Sequence, residues 1–426
     1  MEIFVEKFGG ASVNSAESVR NVEHILSLEK KKRIVVISAM GKTTNKLENI
    51  INLWFNDKKF FTAQYEELVQ YHHNIIHELF DYDNGAVCMN TVDNLLFQLK
   101  YNVEHLPYKD YNFFYDGIVS FGEKISTAIV SAYLNYKGMK NKLISAVDII
   151  KTDNNYRDAN VNWQETQKTI EEVLTEELNK YDLIITQGFI GGTKENLPTT
   201  LGREGSDFSA AIRAHCLNAK SMTVWKDVPG LLNADPKRIS DTTHIISLPY
   251  TEAVELSYYG AAIIHPKTVK PLENLSIPLY IKSFISPSET GTVICDTESV
   301  KPIVPNYIFK DNQVLLSISP KDFSFATESN ISKIFSVLAK HKVKVNLIQN
   351  SAISFSVCFD ENKSILPLLL EDFQQEFSVR YNTNLQHITI RHYTQDSINK
   401  IMTGKRKIIE QKNRITAQFL VNAKND

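Results

Sequence analysis

The stretch from Thr186 to Asp207 constrains the fold of this chain more than any other. It follows a short apolar run, Leu183-Ile184-Ile185, and precedes an Ala-rich helical pattern, FSAAIRAHCLNA. Strand, glycine-rich loop and helix in that order belong to an α/β fold. Gly188, Gly191, Gly192, Gly202 and Gly205 let backbone N–H groups close around an anion, and the helix N-terminus adds partial positive charge at the same place. Thr199, Thr200 and Arg203 stand between these glycines, and Ser206 and Asp207 directly after the last. A phosphate group fits the pattern, although glycine-rich turns of this kind also occur without one. Neither G-x-x-x-x-G-K-[ST] nor G-x-G-x-x-G is present in the segment.

The same local order opens the chain. Ile3-Phe4-Val5 reads as a strand, Lys7-Phe8-Gly9-Gly10-Ala11-Ser12 as a glycine turn, and the next residues as a helix with Val19, Val22, Ile25 and Leu26 on one face. A lysine at such a mouth can neutralise a transferring phosphoryl group, or it can be a surface lysine beside a turn. A third apolar run, Ile34–Ile37, leads into Ser38, Ala39, Thr44 and Asn45, so hydroxyl groups gather at a strand's carboxyl end, where open α/β sheets bind ligands.

Residues 46–115 are rich in Leu, Phe, Tyr, His and Glu at helical spacing, and read as a helical insertion lying as a lobe over a substrate cleft. His73 and His77 are spaced i, i+4, but no third ligand supports a metal site. Ile118–Thr127, with Glu123 in it, reads as the approach to another helix, and Leu143–Ile150 as a strand. Met222–Trp225 reads as a strand before an ordered loop, Lys226–Lys237. TEAVELSYY reads as a helix stopped by Gly260. His265 before Pro266 reads as a structural turn residue, and Pro278–Phe284 as the strand that closes the sheet.

Residues 286–304 have linker composition, and the pattern then changes to strand, helix, strand, strand, helix, strand. The strands are Val314–Ile318, Val343–Ile348, Ile353–Phe359 and Phe377–Tyr381. The helices are 329–341, with Ile331, Ile334, Phe335 and Leu338 inward, and Ser364–Phe373. A strand at Ile388–Tyr393, a helix at Asp396–Thr403 and a strand at Ala417–Val421 read as part of a second, shortened unit. The segment Tyr307–Lys310 is a candidate to complete it.

With 426 residues, two or three domains are expected. A net charge of −2 gives no basic field for nucleic acid. The four cysteines, Cys88, Cys216, Cys295 and Cys358, are far apart, which argues against a zinc site or disulfide framework and suits a reducing compartment. No run approaches a membrane span and MEIFVEKFGG is no signal peptide, so a cytoplasmic location without membrane contact is expected.

The segment TTLGREGSDFSA resembles the TTLGRxGSDxSA signature of aspartokinases, within the amino acid kinase family. Four further motifs follow the same family in the same order: KFGGAS, the Ser38-Ala39…Thr44-Asn45 element, Gly122-Glu123, and WKDVPGLLNADPK. GAAIIHPKT resembles another family element. The C-terminal part resembles ACT domains, the regulatory modules of aspartokinases. The resemblance implies an α/β/α sandwich with a mostly parallel sheet, followed by α+β ferredoxin-like ACT units. In residue terms this is a catalytic domain at 1–285, a linker at 286–304 and a regulatory region at 305–426.

The resemblance also implies the reaction: ATP, with Mg²⁺, phosphorylates the β-carboxylate of L-aspartate to give 4-phospho-L-aspartate, the first step toward lysine, threonine and methionine. It casts Lys7 and Asp207 as catalytic. Ser38, Thr44, Glu123, Arg203 and Ser206 become substrate contacts, with Glu123 receiving the ammonium group and Arg203 a carboxylate. Gly9, Gly10, Ser12, Lys226, Asp227 and Lys237 become nucleotide contacts. Asn346, Gln349, Asn350 and Ser351 become contacts for an amino-acid effector, and a homodimer through the ACT units is implied.

Three positions depart from the family pattern: Ala11 where Thr is usual, Lys237 where Arg is usual, and Ala262 where many members have Lys. Position 346 carries Asn, and position 352 Ala, where lysine-sensitive members typically carry acids. The alternatives are a glutamate or acetylglutamate kinase, or an amino-acid sensor built on an inactive kinase. A fused homoserine dehydrogenase is not expected, because its dinucleotide fingerprint is missing.

Overall fold

The computed structural model describes residues 1–107, 110–261, 264–322, 325 and 327–422. Ala262 lies outside the described residues. The chain forms two compact units, one of Met1–Leu231, His244–Val254 and Ile263–Pro302, the other of Leu232–Thr243, Glu255–Ala262 and Ile303–Asp426.

The first unit is built on an eight-stranded sheet. Its strands run in the order Ser247–Pro249, Thr292–Cys295, Leu279–Ser283, Ser221–Lys226, Ile3–Phe8, Lys32–Ile37, Leu183–Gln187 and Asn141–Ile144. All neighbours are parallel except Leu279–Ser283 against Thr292–Cys295. The central strands are almost continuously buried, as expected for a parallel sheet covered on both faces. Register aligns their carboxyl ends: Phe8 pairs with Ile37 and with Trp225, and Ile37 with Gln187. Lys7, Ser38, Gln187 and Lys226 therefore emerge at one edge.

The helix Ala16–Ser27 buries Val19, Val22, Ile25 and Leu26, as its spacing predicts. Residues 46–115 are helical, but they are not a lobe apart. Helices Phe61–Leu79 and Tyr82–His105 place Leu68, Ile75, Ile76, Leu79, Val92, Leu96 and Leu99 in one core cluster with Val19, Val22, Ile125 and Ile129. His72 is buried there. Burial pushes its imidazole down to about 4, so it is neutral, with Nδ1 2.9 Å from the Leu68 carbonyl. His73 meets Asp93 at 2.6 Å.

Several boundaries differ from expectation. Ile118–Thr127 does not precede a helix: it belongs to two, Tyr111–Val119 and Phe121–Tyr136. Leu143–Ile150 divides into a short strand and the helical turn Ala146–Ile149. The glycine-rich stretch contains a small hairpin, Ile190–Gly192 with Pro198–Thr200. The strand Leu279–Ser283 does not close the sheet, since Thr292–Cys295 from the expected linker adds beyond it. Thr292 and Ile294 are buried in this position, so apolar burial outweighs the linker-like composition around them.

The second unit holds a six-stranded antiparallel sheet. The order is Val345–Asn350, Phe355–Asp360, Asn306–Pro320, Phe377–Arg391, Thr416–Asn422 and Lys407–Lys412. Two strands of 15 residues each run through its middle. Each merges two strands that the sequence presents separately: Tyr307–Lys310 with Val314–Ile318, and Phe377–Tyr381 with Ile388–Tyr393.

Register shifts between Lys310 and Leu315 mark the joint of the first of these strands. One core, with Val314, Leu316, Ile334, Leu338, Phe355, Leu369 and Phe373, lies under helices Glu328–Lys340 and Leu366–Glu376. Another, with Ile388, Ile390, Ile398, Phe419 and Val421, lies under Gln395–Met402. One full and one shortened ferredoxin-like unit thus share a sheet. Phe335 is not inward: it is 40% exposed, with its ring tilted against Phe355. Among the described residues no helix is long and apolar enough to cross a membrane.

Candidate active site

At the carboxyl edge of the parallel sheet lies an open cavity of about 580 Å³. Its lining includes Lys7, Gly10, Ser38, Thr44, Glu123, Arg203, Ser206, Asp207 and Lys226. Every residue expected to be catalytic or to touch substrate is therefore here, drawn from segments far apart in the chain.

Local structure accounts for each position. Lys7 projects from the end of the central strand, and its Nζ lies 2.6 Å from Asp207 Oδ1. Asp207 sits in the first turn of the helix Gly205–Cys216, and Lys226 Nζ is 3.7 Å from its Oδ2. Burial alone would raise the Asp207 pKa, but the charges of Lys7 and Lys226 outweigh it and hold the carboxyl below its usual range. One buried carboxylate thus fixes two ammonium groups at the mouth of a helix N-terminus.

The glycines permit close approach. A Cβ on Gly10 would stand 2.7 Å from the Gly41 carbonyl oxygen and 2.8 Å from that of Ala39. The Gly41 N–H donates to the Gly10 carbonyl at 2.9 Å, so these loops touch through backbone. A Cβ on Gly188 would meet Ser206 Cβ at 2.7 Å. Three non-glycine residues of the lining, Arg157, Phe189 and Glu204, have positive φ of 72°, 65° and 53°. Such strained backbone gathers where a site must hold a fixed shape.

Glu123 lies in the first turn of Phe121–Tyr136 and is 2% exposed. Its Oε1 accepts the Ala39 N–H at 3.2 Å, while Oε2 has no hydrogen-bond partner. Burial, opposed by the Ala39 N–H and the Lys7 charge, pushes its carboxyl up to about 8. A buried carboxyl oxygen facing a cavity without a donor suits a ligand that brings one.

Other expected contacts do not line this cavity, although a Cβ on Gly9 would stand 3.5 Å from Lys7 Nζ. Gly9, Ser12 and Asp227 are not among the lining residues. Ser12 is buried behind the turn in the short 3₁₀ helix Gly10–Val13, and its hydroxyl has no partner. Asp227 is exposed beyond the strand end. Lys237 belongs to the second unit and is exposed, with its N–H bonded to the Asp235 carboxylate at 2.9 Å. His265 caps the helix Pro266–Glu273 by accepting the Lys267 N–H, a structural role.

Of the effector candidates, Asn346 is buried. Its amide donates to Gln313 at 2.8 Å and to Asp360 at 3.1 Å and accepts from Lys310 at 2.8 Å. Gln349, Asn350 and Ser351 are exposed.

The sequence pattern missed Asp116, Tyr115, Glu48, Phe189 and Arg157. Asp116 is fully buried and accepts the Thr200 N–H and hydroxyl, both at 2.8 Å, and the Arg157 N–H at 3.0 Å. Burial pushes its pKa up, and those three bonds oppose the rise. An acid inside the apolar run FFYDGIV was the available signal, since lone buried carboxylates almost always hold something.

Residues 2–283 match the amino acid kinase family, and the chain belongs to that family. Beyond that span it continues to resemble aspartokinases. It is 29% identical over 386 residues to the chloroplastic bifunctional aspartokinase/homoserine dehydrogenase 2 of Arabidopsis thaliana, covering 88% of this chain and 42% of that one. It is 28% identical over 363 residues to lysine-sensitive aspartokinase 3 of Escherichia coli, covering 85% and 79%. The chain thus spans less than half the length of the bifunctional relatives it matches. The crystal structure of E. coli aspartokinase III with aspartate and ADP has the same fold, with a TM-score of 0.84 over 99% of this chain and 96% of that one, at 24% identity.

Proposed function

We propose that the protein is an aspartate kinase, transferring the γ-phosphoryl group of ATP to the β-carboxylate of L-aspartate. The observation that carries this reading is the pairing, in one cavity, of the Lys7–Asp207–Lys226 cluster, built on a buried carboxylate, with the unpartnered carboxyl oxygen of Glu123. The first suits a phosphoryl group in transfer, and the second an amino group. Similarity to aspartokinases over both units supports the choice of aspartate over glutamate or acetylglutamate.

The β-carboxylate is already a nucleophile, so no general base is required. Catalysis is positioning and charge stabilisation. Lys7 approaches the transferring oxygens, and Asp207 holds its ammonium in place. Backbone N–H groups of the glycine loops and Lys226 hold the remaining phosphate oxygens. Glu123 takes the substrate ammonium, Arg203 the α-carboxylate, and Ser38, Thr44 and Ser206 its remaining polar atoms.

Mg²⁺ would supply charge neutralisation of the phosphates when bound. Among the described residues no three His, Cys, Asp or Glu side chains converge to cage it. Asp207 is the carboxylate that would help hold such an ion with the nucleotide. The proposal includes a catalytic role for the first unit, a regulatory role for the second, a homodimer through the second, an amino-acid effector and a cytoplasmic location.

The test is ADP release by purified protein with Mg²⁺-ATP and, separately, aspartate, glutamate or acetylglutamate, each with and without lysine or threonine. Aspartate-dependent turnover is expected. Tight ATP binding without turnover on any carboxylate would favour a sensor instead.

A further inference from the structure

The loop between residues 151 and 159 sends a side chain into the cavity that the chemistry above leaves unused. Arg157 lines the cavity together with Tyr115, Thr200 and Arg203. Its φ of 72° lies in the left-handed region, which a long side chain seldom adopts. The conformation is held from below. The Arg157 N–H donates to buried Asp116 at 3.0 Å, and the same carboxylate takes the N–H and hydroxyl of Thr200. The Ala159 N–H donates to the Thr200 carbonyl at 3.0 Å.

The guanidinium itself is oriented by aromatic faces, 4.4 Å from the Tyr115 ring centroid and 5.8 Å from that of Tyr111. A Cβ on Gly202 would come within 2.4 Å of Asp158 Oδ1 and 3.4 Å of the Arg157 carbonyl oxygen. The 157–158 backbone therefore lies directly against the residue preceding Arg203. Asp158, the nearest acid in the sequence, pairs with Lys267 at 2.6 Å. Among the described residues neither Arg157 nor Arg203 has an ion-pair partner. Two arginines from touching segments thus line one cavity.

We propose that Arg157 is a specificity-determining residue which, with Arg203, receives the α-carboxylate of the acceptor amino acid. The inference rests on the aspartate kinase reading. An acceptor of that class carries three charged groups. The carboxylate to be phosphorylated goes to Lys7, and the ammonium to Glu123. The remaining carboxylate meets the Arg157–Arg203 pair, whose planar forks match it. Stacking on Tyr115 holds the Arg157 fork in place before substrate arrives.

Arg157→Gly relieves the positive φ, so the variant is expected to fold. Arg157→Lys keeps the charge without the fork. The experiment compares kcat and KM of wild type and both variants for aspartate and for its α-amide, with KM for ATP as control. Arg157→Gly should raise KM for aspartate about 10-fold or more, the scale of one charge-assisted hydrogen bond. It should leave the α-amide and ATP unchanged, so that the preference for aspartate over the α-amide collapses, and Arg157→Lys should restore part of it. Wild-type turnover of aspartate carries the functional reading, and the aspartate-to-α-amide ratio carries this one. No wild-type turnover of aspartate overturns both. Turnover with an unchanged ratio in Arg157→Gly, or a rise confined to the KM for ATP, overturns this inference alone.

Discussion

Glu123 makes substrate binding depend on pH in a calculable way. In the free protein its carboxyl is raised to about 8 by burial, with one oxygen bonded to the Ala39 N–H and the other without a donor. At pH 7 roughly nine-tenths of the molecules then carry a neutral Glu123. An ammonium group needs the ionised form, so apparent affinity scales with the ionised fraction. Between pH 8.5 and pH 6 the KM for aspartate should rise by about two orders of magnitude, with a slope near one per pH unit below pH 8. Binding at pH 7 should release about 0.9 proton, readable by calorimetry in buffers of different ionisation enthalpy.

Glu123→Gln supplies the control. It should weaken aspartate binding at pH 8.5 by about 10- to 100-fold and abolish the pH slope. The stability effect has the opposite sense. A carboxyl whose folded pKa is raised favours folding below its unfolded value and loses that contribution as pH rises through the folded one. Relative to Glu123→Gln, wild type without substrate should lose stability between about pH 4.5 and pH 8, by at most about 5 kcal/mol. A KM for aspartate that stays flat from pH 6 to 8, or undiminished binding by Glu123→Gln, would remove Glu123 from the ammonium site.

Lys7→Ala should lower kcat by about 10²-fold or more with an unchanged fold, measured by steady-state ADP release alongside circular dichroism. Near-normal turnover would remove Lys7 from the mechanism. Gly10→Ala forces a methyl against the carbonyl oxygens of Ala39 and Gly41, so it should cost about 1–3 kcal/mol in denaturant unfolding and at least about 10-fold in kcat/KM. Full stability in that variant would show that the two loops can part freely. Phe373→Ala empties a fully buried position in the core under Leu366–Glu376 and should destabilise the second unit by about 3–5 kcal/mol, seen as an earlier unfolding transition.

The sequence alone determined the parts whose physics is local. Apolar runs gave the parallel strands, and glycines at their ends gave the close-packed turns. The cluster of Lys7, Glu123, Arg203 and Asp207 was legible through the motifs that resemble aspartokinases, which stand at strand ends or helix starts. The rest depends on contacts between segments far apart in the chain. Thr292–Cys295 looks like a linker until an adjacent strand completes its hydrogen bonds. The two long strands of the second unit look like four, because a register shift interrupts the alternation that sequence reading relies on. Lys237 shares a motif with Lys226 yet folds into the other unit. Arg157 and Asp116 carry no motif. Their pairing across 41 residues exists because burial leaves the Asp116 carboxylate no water, and the nearest donors in the folded chain are the N–H groups of Arg157 and Thr200.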